Sequence, residues 1–407
     1  MTGSYSKIQT LLEKGVFIPE PSSIYIGEEV NTDYISGDRV EIYPGCRIYG
    51  EKTVISKGVR LGYEAPVTLE DCQLGAYVEL KGGYFKKSVF LERSQMGSGA
   101  HVREACILEE ASSGAHCVGL KQTILFPFVT LGSLINFCDC FMAGGTSRHD
   151  HSEVGSAYIH FNFTPEGDKA TPSLIGDVPR GVMLDKPRIF LGGQGGMVGP
   201  VRIGFGNVVA AGSILRKDYL FENKLILASM PSDMVRDIPK RVLFSLNRII
   251  KNNIIYISNL IALEDWYVYV RQPFLKKTEF GDLIFNGLIE KIHMALEERL
   301  KRLKELLEKH KEQKPEFFNK FDKLEELIKD RAQIKEHIKE RDKFLHTLNQ
   351  HLDSGGLNYI EFIKHLNIET KKYGIDWLDG IIHNLCEKVE TIFPTLTPII
   401  NTHERTS

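Results

Sequence analysis

Long apolar runs are missing from this sequence. The most apolar stretch, "NNIIYISNLIAL" at 252–263, carries Ser258 and Asn259 and is too short to span a bilayer. Metal-type cysteine spacing is missing too. The 7 cysteines, Cys46, Cys72, Cys106, Cys117, Cys138, Cys140 and Cys386, are scattered, odd in number and without a CxxC pair. That pattern argues against a zinc site or a disulfide framework. Cys138-Asp139-Cys140 is the one close pair; in a strand its thiols would share a face, where buried packing outweighs redox or metal chemistry. An excess of one charge is also absent. With 51 basic and 53 acidic side chains the formal net charge is −2, so no bulk field points to nucleic acid or an anionic membrane. The opening "MTGSYSKIQTLLEKGVFIPEP" has no basic segment followed by an apolar one, so no secretory signal is expected and the expected location is the cytoplasm.

What is present is glycine at a regular beat. Aliphatic-glycine pairs recur, among them Leu61-Gly62, Leu74-Gly75, Met96-Gly97, Leu131-Gly132, Ile175-Gly176 and Ile203-Gly204. Aliphatic residues fall at intervals near six: Ile42, Ile48 and Val54; Leu74 and Leu80; Met96 and Val102; Val129 and Ile135; Ile203 and Val209. A short strand with one inward aliphatic, then a tight turn, makes one wall of a triangular coil. Three walls close a turn of a parallel β-solenoid, and stacking buries the aliphatics in a column. A β-sandwich with glycine turns is the competing fold, but it has no six-residue phasing.

Near residue 235 the pattern becomes helical. Ser232 is the expected N-cap of a helical segment through 274. Residues 280–315 read as one long amphipathic helix, with Ile289, Ile292, Leu296, Leu300, Leu303 and Leu307 as its stripe and Pro315 closing it. Residues 316–353 read as a second, stopped by Gly355-Gly356, and the two are expected to pair as a long helical hairpin. Two shorter helices follow, over 358–374 and 375–393. Signs alternate along the charged faces, as on solvated surface. The expected division is a lead-in over 1–20, a β-helix over 21–230 and an α-helical domain over 231–407.

Chemistry is best sought in "GGTSRHDHSEVGSAYIHFNFTPEGDKATPS", residues 144–173, which interrupts the repeat. Tyr158, His160 and Asn162 alternate and therefore share a face. If that face is outward they line a groove or a subunit interface; otherwise they are satisfied structural polar groups. Acyl transfer to an amine needs a base, for which His160 and His151 are the candidates. Arg148 and Lys169 can hold a phosphate. The "HDH" at 149–151 is too small a set to predict a metal. Gly192-Gly193 and Gly195-Gly196 read as close backbone approach in a solenoid corner rather than as a phosphate loop.

"IGFGNVVAAGSILRKD" (203–218) resembles the closing coils of the left-handed β-helix acyltransferases of the hexapeptide-repeat family. "FNFTPEGDKATPSLIGDV" (161–178) resembles the Cys-Asn-Tyr-Asp segment, lysine-bearing loop and Ile-Gly-Asp re-entry in the acetyltransferase domain of the bifunctional N-acetylglucosamine-1-phosphate uridyltransferases. The resemblance covers about 20–218 as a fold and about 150–218 as a motif. It implies a left-handed parallel β-helix, acetyl-coenzyme A as acyl donor, an amino-sugar phosphate or sugar nucleotide as acceptor, and a homotrimer with sites between chains. Carried over by position, Asn162 and Lys169 bind the sugar phosphate, while Ala210 and Ala211, with Gly193 in place of a family serine, lie against the cofactor. The family's Gly-His-Leu-Thr-Tyr segment corresponds to "GSLINFCDCFMAGG" (132–145), which has no histidine, so the base stays open between His160 and His151. That absence, with the helical tail, also fits a non-catalytic trimeric platform recruiting a protein partner. The nucleotidyltransferase half, with its glycine-rich loop and βαβ alternation, has no counterpart, so a pyrophosphorylase activity is not expected.

Overall fold

The computed structural model describes residues 2–161, 169–228, 246–335, 338–353 and 358–400. After the helix Thr2–Glu13 the chain winds into a parallel β-solenoid from Tyr25–Ile26 to Leu225–Ile226. One wall is a 10-stranded parallel sheet; the other two walls merge into a 16-stranded sheet because Gly83–Phe90 and Ala100–Leu108 run round a corner without a break. The six-residue beat therefore registers as predicted: Val102, Leu120 and Phe137 stack in adjacent coils, and His160, Met197 and Leu215 continue the same inward column. Every apolar member of that column is at most 2% exposed. Full burial of such side chains contributes roughly 1.5–3 kcal/mol each before chain entropy is subtracted. Interwall turns place many non-glycine residues at positive φ, among them Cys117 at 56° and Leu134 at 61°.

The helices cover the third wall. Leu246–Trp266 passes through a π-type turn, Tyr267–Arg271, into Gln272–Leu275. The long helix Gly281–Lys309 lies within the expected span and packs on the solenoid strands, with Gly287 against Gln73 and Arg299 on Asp139, while Ile292, Leu296, Leu300, Leu303 and Leu307 of the expected stripe are buried. The expected cap Ser232 falls outside the described residues. The second long helix is broken instead of continuous, into Pro315–Asn319, Phe321–Lys329, Arg331–Ile334 and Ile338–Asp353. Tertiary contacts override the period. Phe317 stacks on Phe393 at 3.9 Å, and Arg331 and Lys335 both turn back to the buried Glu264 at 3.1 Å. At the other end two helices are present as expected, Tyr359–His365 and Ile368–Ile392, but the break falls at 366–367 and not after Gly374. Gly374 acts there as a packing residue: a Cβ would sit 2.4 Å from Met183 Cε and 2.9 Å from Phe344 Cδ2. Among the described residues no helix is long and apolar enough to cross a membrane.

Candidate functional site

One corner of the solenoid carries His116, Ser133, Ser156, Gly193 and Ala211, one per coil. The N–H of the following residue binds the carbonyl one coil back each time: Leu134 to His116 at 3.2 Å, Ala157 to Ser133 at 2.8 Å, Gln194 to Ser156 at 2.8 Å and Gly212 to Gly193 at 2.9 Å. Adjacent coils of such a ladder lie about 4.8 Å apart, so the corner forms a straight rail of backbone. Gly192 is required on it, since a Cβ there would lie 2.4 Å from the Ala211 nitrogen. Three predicted positions, Gly193, Ala210 and Ala211, are thus brought together, with Ala211 exposed and the other two half-buried.

Beside this corner the adjacent wall holds a groove of about 360 Å³. Its outward ladders follow from register: His101, Gly119 and Asn136 in one row, Arg103, Lys121 and Cys138 in the next. Gly119 leaves a notch between His101 and Asn136. The His101 ring lies against Tyr84 at 5.1 Å. Lys121 pairs with Glu104 at 3.0 Å and holds that carboxyl below its usual range. Arg103, exposed, forms no ion pair among the described residues. The groove therefore presents a guanidinium and an ammonium one coil apart, with an imidazole alongside, which suits an anionic group.

The sequence-predicted polar residues divide differently. His160 and Tyr158 do share a face, but it is the inner one, which corrects the outward, groove-lining reading. His160 is 7% exposed, with Nδ1 2.5 Å from the Cys138 carbonyl and Nε2 3.0 Å from Ser173 Oγ. Cys138 O can only accept, so Nδ1–H is assigned as donor and Nε2 as acceptor from the serine. Burial pushes this imidazole below its ordinary pKa, keeping it neutral with neither nitrogen free. Tyr158 is fully buried, its hydroxyl without a hydrogen-bond partner among the described residues and its phenol pushed up by burial. Arg148 and His151 lie on a hairpin, Gly145–Ser147 with Asp150–His151, that bulges from one coil. Arg148 is committed to the scaffold, donating to Ala111 O at 2.9 Å and Thr130 Oγ1 at 3.0 Å. His151 Nδ1 sits 2.9 Å from Arg148 O. Lys169 is exposed, and Asn162 lies outside the described residues. Cys138 and Cys140 do not share a face. Asp139 between them turns the corner at φ 61°, leaving Cys138 in the groove and Cys140 buried. Among the described residues no group of three or more His, Cys, Asp or Glu could hold a metal ion. His101, His116, Arg103 and Lys121 are absent from the sequence-derived candidates. For His101, Arg103 and Lys121 the only local signal is alternation in "HVR" and "GLK", which sets parity but not which coils adjoin; His116, in a corner turn, has none.

The six-residue repeat and the stacked coils define a parallel β-solenoid of the hexapeptide-repeat type. No family model matches the chain. It is similar to the Bifunctional protein GlmU of Thermotoga maritima, at 30% identity over 213 residues, 52% of this chain and 42% of that protein. It is also similar to Bifunctional protein GlmU of Carboxydothermus hydrogenoformans, at 26% over 212 residues (52% and 42%), and of Synechococcus elongatus, at 28% over 204 residues (50% and 40%). The chain thus spans 40–42% of the length of these curated relatives.

Proposed function

We propose that the protein transfers an acetyl group from acetyl-coenzyme A to the amine of an amino-sugar phosphate or sugar nucleotide, as a cytoplasmic homotrimer. The observation that carries this reading is one continuous corner. Its small-residue end at Gly193 and Ala211 is free of bulky side chains, and its other end, three to four coils away, borders the groove holding Arg103 and Lys121. A thin donor chain along the rail and a phosphate in the groove would bring thioester and amine to one place, which is where such catalysis gains most. Asn162 and Lys169 belong to the proposed acceptor site through the family resemblance.

Calorimetry with acetyl-coenzyme A, and an acetyl-transfer assay with glucosamine 1-phosphate, test the reading. Micromolar donor binding is expected, lost in Ala211→Trp, which blocks an exposed rail position without touching the core. Absence of donor binding by the wild-type chain overturns it. A second reading, a trimeric platform whose helices recruit a protein partner, is favoured by the enclosed state of His160. Its signature is a stoichiometric protein complex together with no small-molecule binding.

A further inference from the structure

We propose that His116 is the general base of the acyl transfer and that Ser133 is its positioning residue. This rests on the acyltransferase reading above. His116 is exposed on the corner rail, and its Nδ1 lies 2.8 Å from Ser133 Oγ across one coil step. Among the described residues its Nε2 has no hydrogen-bond partner. With Nδ1–H assigned as donor to the serine oxygen, the Nε2 lone pair is the open one. Ser133 is itself held in place. Its N–H donates to Ser156 Oγ at 3.3 Å, and its carbonyl accepts from the Ala157 N–H at 2.8 Å.

The pair stands at the edge of the groove. Cys117, next to His116, and Ile135, two residues beyond Ser133, both line it. Along the same corner the rail continues through Ser156 and Gly193 to Ala211. No other described histidine near the site combines these features. His160 is enclosed with both nitrogens engaged, His151 sits on the hairpin against Arg148 O, and no hydrogen bond orients His101 among the described residues.

In the step assigned to the pair, the acceptor amine attacks the thioester carbonyl carbon. The new N–C bond forms as the carbonyl π pair moves to oxygen, and the amine proton passes to His116 Nε2. Collapse re-forms the carbonyl and breaks the C–S bond. The thiolate then takes the proton from the imidazolium, leaving an amide, a free thiol and neutral His116. Ser133 keeps Nδ1–H bonded throughout, so the ring neither rotates nor changes tautomer.

The test uses the full chain with acetyl-coenzyme A and glucosamine 1-phosphate. His116→Ala and His116→Asn should each lower kcat by about 10²–10⁴-fold, with acetyl-coenzyme A affinity unchanged by calorimetry and the acid-side fall of the kcat profile gone. Ser133→Ala should lower kcat by roughly tenfold and remove the Nδ1–H tautomer from the imidazole ¹⁵N NMR spectrum of His116. An Nε2–H tautomer in the wild-type protein overturns the proposal without reference to activity. Turnover in both His116 variants within threefold of wild type overturns it while the acyltransferase reading stands. A wild-type chain that neither binds acetyl-coenzyme A nor transfers acetyl groups removes both.

Discussion

Arg299 of the long helix reaches the solenoid corner and donates a hydrogen bond to Asp139 at 2.5 Å, with 2% of the one side chain and 12% of the other exposed. The contact ties the helical cover to the coil that supplies Cys138 to the groove. Among the described residues one guanidinium nitrogen, Nη1, is buried without a hydrogen-bond partner, so Asp139 carries most of the compensation for that charge. Arg299→Ala would leave a carboxylate buried and unpaired, and should cost about 3–5 kcal/mol. Urea unfolding measures it. A double replacement, Arg299→Met with Asp139→Asn, should recover most of the loss because no buried charge remains. A loss under about 1 kcal/mol in the single variant contradicts this account of the junction.

At the same junction the Tyr267 hydroxyl donates to Glu109 at 2.6 Å, and burial pushes the Glu109 carboxyl up to about 7 from its ordinary 4.5. The folded state then binds more protons than the unfolded state between those values. Stability contributed by this group is therefore present below about pH 4.5 and declines as pH rises toward about 7. Glu109→Gln should flatten the stability slope across that window. Chemical denaturation at half-unit pH steps gives the answer, and equal slopes in variant and wild type would falsify the assignment.

The groove predicts a charge effect on acceptor binding. Arg103→Ala and Lys121→Ala each remove one charge-assisted contact to an anionic group, worth about 1.5–3 kcal/mol or roughly ten- to hundredfold in KM for glucosamine 1-phosphate. Acetyl-coenzyme A binding should be unchanged. Because the groove is open, the wild-type KM should also rise with salt. Steady-state kinetics at two ionic strengths separates these outcomes.

His160 yields a stability prediction. His160→Ala orphans the Cys138 carbonyl and opens a cavity in the inner column beside Met197, at a cost of about 2–4 kcal/mol. Thermal and urea unfolding should show that loss, while turnover per folded molecule is retained. Wild-type stability in the variant would mean the imidazole is not held as described.

The solenoid was legible because its signal is local and repeated. Each coil must bury one aliphatic per wall, so Met96, Val102, Val129 and Ile135 announce themselves at six-residue steps. The close backbone approach at Gly192 and Gly193 was legible for the same reason, whereas Ala210 and Ala211 are located by the family resemblance alone. The groove was not legible. From His116 to Ser133 is 17 residues, but from Ser133 to Ser156 it is 23, because the 145–151 hairpin lengthens that coil. Coils of unequal length cannot be aligned by counting.

The sequence by itself determined the repeat, its aliphatic column and the helical character of the chain that follows the solenoid, all properties of near neighbours along the chain. It also determined that Tyr158 and His160 share a face, because alternation in a strand fixes parity. Only the tertiary structure decided that this face is the inner one, with Ile159 outside. It alone joined His116 to Ser133 and aligned Arg103 with Lys121. Those pairings depend on how each coil closes on the next, and stacking between distant segments, not local preference, sets that closure.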